Sequence, residues 1–443
     1  MNTTINSNML ESFHNNFESS KLNKVIQTAV IKSGFDAMIG KQDEQIAHPM
    51  LFSLELETGE ITNQKGSGRC WMFAGLNTLR VEVMKKLNLS NFEFSQNYPM
   101  FWDKLEKANY YLECILDTLD EPTEGRLIRH LIRGPMNDGG QWDMFCALID
   151  KYGCVPKSVM PETFHSSNTG AMNNLITRRL REDAIILRDA YKDGASIDEL
   201  RAKKDGMLDE VYRLLAMALG EPPKTFTYEY YDKDKVYHRI ENLTPHAFME
   251  QYVGRALEDY VSIINAPTAD KPYGKTYTVQ YLGNIVGGRQ VKYLNLPSED
   301  LKKLAIAQMQ DGEPVWFGCD VGQMLQRDMG IMGLNTYSYD LLGFNYTMNK
   351  AQRLDYATSL MTHAMVFVGV NLVDGKPNRW KVENSWGDTS GQKGYYLMTD
   401  EWFDEFNYQI VVNKKYLSEE QLAAWEQEPI VLKPWDPMGS LAL

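Results

Sequence analysis

The spacing of apolar residues along this chain changes near residue 277. Before it, helical periods dominate. Trp71, Phe73, Ala74, Leu76, Leu79, Val83 and Leu87 recur at helical spacing and predict a helix over 71–87. A second helix is predicted over 99–116, with Phe101, Leu105, Ala108, Leu112 and Ile115 on one face. Residues 174–193 form a charged amphipathic stretch stopped by Gly194. Ser196-Ile197-Asp198-Glu199 then reads as a capping box, in which a hydroxyl and a carboxylate three residues apart satisfy each other's backbone N–H groups. That helix is expected to end at Gly220, ahead of Pro222-Pro223. Beyond 277 the period falls to two. Tyr277, Val279 and Tyr281 alternate, and 315–319, 365–370, 380–383, 395–398 and 410–412 are short apolar runs that suit antiparallel strands. A short helix follows Ser418, again with a capping box. The pattern predicts an α+β chain, helix-rich first and strand-rich afterwards, with no internal repeat.

Both ends read as arms. Residues 1–60 are polar and predicted to wrap the core, with a helix over 10–22. Residues 428–443 carry Pro429, Pro434 and Pro437, which suppress regular structure. Yet Trp435 and the apolar Leu441-Ala442-Leu443 are unusual in a disordered tail. A chain of 443 residues exceeds one core, so two or three subdomains are expected. No apolar run approaches a membrane span, and residues 1–30 lack a basic start and an apolar stretch, so neither membrane nor signal peptide is expected. A net charge of −13 is a poor footprint for nucleic acid. The five cysteines are odd in number and show no pairing pattern.

Candidate chemistry gathers at Gln64-Lys65-Gly66-Ser67-Gly68-Arg69-Cys70-Trp71. A cysteine at a helix start faces unpaired N–H groups and the positive end of the dipole, which favour a thiolate. Gln64 supplies an amide donor for a developing oxyanion. Such a thiol needs a base. His363 begins an apolar strand, and a second short strand leads into Asn384. A strand–turn–strand places Asn384 beside His363, where its oxygen fixes the ring with the other nitrogen facing Cys70. The remaining cysteines and histidines read as packing or surface residues. No metal-ligand spacing, phosphate loop or serine-hydrolase elbow is present, so neither metal nor organic cofactor is expected.

In that order, Gln64, Cys70-Trp71, His363-Ala364 and Asn384-Ser385-Trp386-Gly387 resemble the papain-type cysteine peptidases. Asp138-Gly139-Gly140-Gln141-Trp142 sits where that family carries its Gly-Gly substrate-binding segment. Phe94-Ser95-Gln96-Asn97-Tyr98, Tyr152-Gly153-Cys154-Val155-Pro156-Lys157, Tyr281-Leu282-Gly283-Asn284, Val315-Trp316-Phe317-Gly318-Cys319-Asp320 and Ser359-Leu360-Met361-Thr362 resemble the bleomycin hydrolase / aminopeptidase C branch. Cys70 and His363 are 293 residues apart. Papain-like enzymes usually leave roughly 130–150, so about 150 residues are inserted.

The resemblance implies a papain-like fold of two subdomains with a large, mainly helical insertion. The expected segments are an arm over 1–60, a helical half over 61–164, an insertion over 165–272, a β-rich half over 273–427 and a C-terminal arm over 428–443. The residues alone leave the insertion open between a solvated surface hairpin and an oligomer contact. The resemblance implies the latter, in a homohexameric ring. It also implies that the C-terminal arm blocks the far non-primed subsites, that Gly139 and Gly140 hold substrate backbone, and that the Leu443 carboxylate pairs with a free amine. Ser67 and Asn137 stand where secreted relatives carry disulfide partners, which fits a reducing cytoplasm. The function implied is a cytoplasmic thiol aminopeptidase acting on peptides through an acyl-enzyme on Cys70, with His363, Asn384 and Gln64 as partners. An endopeptidase on the same scaffold, or a non-catalytic ring that binds peptides or nucleic acid, are the alternatives.

Overall fold

The computed structural model describes residues 4–442. Its long helices all precede Gly220, and all but a few of its strands follow Asp259. The helix Cys70–Lys86 is enclosed on every side over most of its length, so Asn77, Thr78 and Arg80 are as buried as Trp71 and Leu76. A central helix covered all round has no outward face, and the single stripe expected from its spacing is only part of its contact surface. One side packs on the helix Trp142–Tyr152, and another lies on the strands Val315–Cys319 and His363–Val373. Trp316 joins the two layers, its indole N–H donating to the Trp71 carbonyl at 3.0 Å.

The centre of the sheet is antiparallel. Tyr260–Ile264, Asn407–Asn413, Val315–Cys319, His363–Val373, Lys376–Glu383 and Tyr395–Thr399 lie side by side in that order. The first of these corrects the sequence reading. Tyr260–Ile264 falls inside the segment expected as insertion, yet it is a core strand, so the insert ends before Tyr260 rather than at 272. All five of its residues are buried, and a strand covered on both faces shows no period-two alternation to betray it. At the sheet edge, Ile430–Leu432 of the C-terminal arm pairs in parallel with Lys275–Val279. The proline-rich tail is therefore partly a strand, not wholly irregular.

Within the insertion the helices Gly170–Lys192 and Ile197–Leu219 form a hairpin. The capping box is present: Ser196 accepts from the Glu199 N–H, and the Glu199 carboxylate accepts from the Ser196 N–H at 2.8 Å. A β-hairpin, Phe226–Tyr231 with Tyr237–Leu243, follows without a period strong enough to announce it. Its Tyr228 packs edge-on against Phe92 and Phe248. The N-terminal segment is more helical than expected, with Ser7–Glu18 and Lys21–Ser33 ahead of two shorter turns of helix. Among the described residues no helix is long and apolar enough to cross a membrane.

Candidate active site

Cys70 is the first residue of the central helix and His363 the first of a sheet strand, so the site lies on the seam between the two layers. The backbone N–H groups of Ala364, Trp71 and Cys70 face the thiol and favour its ionised form. Burial acts the other way and is larger, pushing the Cys70 thiol up to about 11. Burial likewise pulls His363 down to about 4, opposed by its bond to Asn384 and assisted by Arg327. The helix start alone pointed to a thiolate. In the enclosed cleft burial outweighs the helix start and disfavours the charged form of both groups. Among the described residues His363 makes no hydrogen bond to the thiol itself, so proton transfer awaits a closer approach.

The tautomer follows from Asn384. Its Oδ1 accepts from the Ser385 N–H at 2.8 Å and lies 2.9 Å from His363 Nε2. A carbonyl oxygen only accepts, so Nε2 carries the proton and Nδ1 keeps the lone pair that can take one from a thiol. The hairpin register makes this meeting possible: Val366 pairs with Glu383, and the chain runs on from there to Asn384 opposite the start of the His363 strand. Trp386 covers the imidazole with ring centroids 4.9 Å apart.

Gln64 is tied to the same strand end. Its backbone N–H donates to the Ser385 carbonyl at 2.9 Å, and its Oε1 accepts from the Ser385 hydroxyl at 2.9 Å. Its Nε2 donates to the Ser67 carbonyl at 2.6 Å. An amide has two N–H donors, so one remains for an oxyanion. Behind it, Glu383 accepts from Thr58, from Asn77 at 2.8 Å and from Arg80 at 2.8 Å. Asn77 and Arg80 stand on the Cys70 helix, so this buried cluster locks the nucleophile's helix to the strand that presents Asn384.

The Gly139–Gly140 segment is occupied by the chain itself. The Gly140 N–H donates to the Leu441 carbonyl at 3.2 Å. A Cβ on Gly139 would sit 2.3 Å from that carbonyl, and one on Gly140 would strike the Trp71 ring at 2.5 Å, so both positions require glycine. The arm is held along its length. Met438 O accepts from the Tyr293 hydroxyl at 3.0 Å, the Ser440 hydroxyl donates to Met361 O at 2.8 Å, and Asp436 pairs with buried Lys271 at 2.9 Å. The Arg126 guanidinium lies 3.8 Å over the Trp435 ring. A cavity of about 500 Å³ remains beside the arm's end, lined by Tyr110, Tyr111, Tyr281, Met361 and Ala442 among others. Leu443, expected to supply a carboxylate, lies outside the described residues.

Sequence reasoning missed the Glu383–Arg80 cluster, Ser385 as the partner of Gln64, and the buried lysines Lys104 and Lys107, which donate to backbone around Gly139. Only the i, i+3 spacing of the two lysines on a largely buried helix was a signal. The chain matches the Peptidase C1-like family over residues 4–439. It is 50% identical over 442 residues to aminopeptidase C of Streptococcus thermophilus, covering 99% of each. It is 46% identical over 408 residues to bleomycin hydrolase of Homo sapiens, covering 90% of each. The crystal structure of PepW from Lactobacillus rhamnosis HN001 matches with a TM-score of 0.97 at 51% identity, over 99% of both chains. A likeness running the full length of both sequence and fold places this chain in the Peptidase C1-like family, as a cysteine peptidase.

Proposed function

We propose that this protein is a thiol aminopeptidase that releases the first residue of a peptide through an acyl-enzyme on Cys70. Cys70 transfers its proton to His363 Nδ1 and attacks the first carbonyl. The remaining Gln64 amide N–H and the Cys70 backbone N–H receive the oxyanion. His363 then protonates the leaving amine and activates the water that frees the acyl group, while Asn384 keeps the ring in its plane. The observation that carries the exopeptidase reading is the Leu441 carbonyl on the Gly140 N–H. The arm lies where a longer substrate would place its upstream residues, and this supports a cleft that accepts a chain only from its free amine onward. Three carboxylates around the site are engaged by other partners, which supports an amine anchor other than these. Asp138 is engaged by Lys104 and Asn173, Glu162 by Arg69 and Asp320 by Thr362.

The test compares an aminoacyl fluorogenic amide with its N-acetylated twin under reducing conditions. Turnover of the free amine alone is expected, and equal turnover of both would replace this reading with an endopeptidase. Cys70→Ala is expected to remove all measurable turnover; substantial residual activity would sink the mechanism. The five buried, unpaired cysteines support a reducing, cytoplasmic setting. The exposed apolar side chains of the N-terminal helices and of the insertion, Ile31, Ile185 and Met217 among them, support assembly with further copies of this chain into a ring.

A further inference from the structure

Asp138 precedes the Gly139–Gly140 segment, and its side chain is 10% exposed. Four donors converge on it. Oδ2 accepts from the Gly68 backbone N–H at 2.8 Å and the Thr169 hydroxyl at 2.5 Å. Oδ1 accepts from the Asn173 amide at 2.8 Å and the Lys104 ammonium at 2.6 Å. Its backbone carbonyl accepts from the Trp71 indole N–H at 2.6 Å. One residue therefore grips the chain on both sides of Cys70, at Gly68 before it and Trp71 after it. Lys104 and Lys107 hold the flanking carbonyls, Asn137 O at 2.5 Å and Gly139 O at 2.6 Å. Burial opposes ionisation of Asp138, but Lys104 and the donors from Asn173 and Gly68 hold its carboxyl well below the usual range. A carboxylate offers about four lone-pair positions, and all are taken. Asp138 is therefore not the group that binds a substrate amine, and it has no proton to shuttle.

We propose that Asp138 is a positioning residue whose carboxylate sets the distance between the Cys70 thiol and the Gly140 N–H, and that the inserted helix holds it in place through Thr169 and Asn173. The proposal rests on the reading above, with Cys70 as nucleophile and the Gly140 N–H as the seat of the arm that limits a substrate to its free amine. Its physical content is that the thiol and the amide that seats the arm belong to different segments, and Asp138 bonds to both sides of the nucleophile while being continuous with the glycines. A misplacement of about 1 Å between such groups can cost on the order of 100-fold in rate.

The test is Asp138→Asn, which keeps the shape but puts an N–H against at least one donor. The expected result on the free-amine amide is a fall in kcat of about 10- to 100-fold with KM within about 3-fold. Alkylation of Cys70 by iodoacetamide does not use Gly140, and its second-order rate is expected to stay within about 2-fold of wild type. A kcat within about 2-fold of wild type overturns the proposal, as does a parallel fall in the alkylation rate, which marks simple collapse of the site. Should Asp138→Asn fail to fold, Thr169→Val with Asn173→Leu decides on the same two readouts. There a fall in kcat of about 3- to 10-fold at unchanged alkylation rate supports the proposal, and no fall overturns it. If iodoacetamide leaves the wild-type enzyme active, the nucleophile reading fails, and that failure is separate from this one.

Discussion

At the amino end, the helices Ser7–Glu18 and Lys21–Ser33 bury one side chain between them, Ile26, and leave Phe13 53% and Ile31 79% exposed. At the carboxyl end, the single short helix Pro437–Ala442 encloses Met438 at 0% and Leu441 at 4%. Both ends carry apolar side chains that favour cover. The difference lies in what the chain offers them. The carboxyl end finds a cleft walled by Gly139, Gly140, Tyr293 and Met361, with a cation waiting at Lys271 for Asp436. The amino end packs mainly on itself, so its apolar stripe stays in water within one protomer. An end segment takes its role from the surface that receives it, and its own composition says little about which role that is.

The comparison can be broken at its strongest point by deleting residues 438–443. Hydrolysis of the N-acetylated amide is expected to rise from background to within about 10-fold of the free-amine rate, because the Gly140 N–H becomes open to upstream substrate backbone. A truncated enzyme that still rejects the blocked substrate would show that the arm does not gate the cleft. The next largest effect is expected from Lys271→Met. It leaves Asp436 unpaired in a nearly dry place and should weaken docking of the arm by about 3 kcal/mol. Hydrogen exchange over residues 430–442 reads this as an approximately 100-fold loss of protection, confined to the arm. Unchanged protection would move the anchor to Trp435 and Arg126.

A third expectation concerns acid. The unfolded chain binds a proton on His363 near its ordinary pKa of 6.5, and the folded chain only near 4. Stability is therefore full above about 6.5 and falls as pH drops toward 4, by a term on the order of 3 kcal/mol. His363→Gln should flatten that part of a denaturant-midpoint profile, and an unaltered slope would place the titration elsewhere. The smallest effect on the catalytic core should come from deleting residues 1–33. The thermal midpoint is expected to move by no more than about 2 °C, because the two helices bury only Ile26. On the proposal that copies join through the exposed stripe, sedimentation should show a smaller species than the full chain. An unchanged assembly would mean that the exposed stripe has no role between copies.

Much of the site was legible because its signals are local. Cys70 at a helix start, His363 at a strand start, Asn384 before Ser385-Trp386 and Gln64 ahead of the glycines are marked by neighbours a few residues away, as are the capping boxes at Ser196 and Ser418. The short apolar runs after 277 were legible for the same reason. Tyr260–Ile264 was not, because Ser262 interrupts its apolar run, and only the fold brings Gln409 to satisfy that hydroxyl inside a fully buried strand.

What the sequence determined by itself was therefore the chemistry available and the elements that carry it: a thiol, an imidazole, two amides, and helices and strands whose periods and caps depend on near neighbours. The tertiary structure alone decided which charges could be buried. Arg80 meets Glu383 across 303 residues, and Gly68 meets Asp138 across 70. It decided that the cleft is closed enough for burial to oppose the charged forms of Cys70 and His363, against what the helix start favours. It also decided that the carboxyl end docks while the apolar side chains of the amino end stay exposed. The physical reason is common to all three. Dihedral preference and hydrophobic period act between residues close in the chain, whereas desolvation is set by whatever arrives from far along it, and its sign depends on whether that arrival brings a partner.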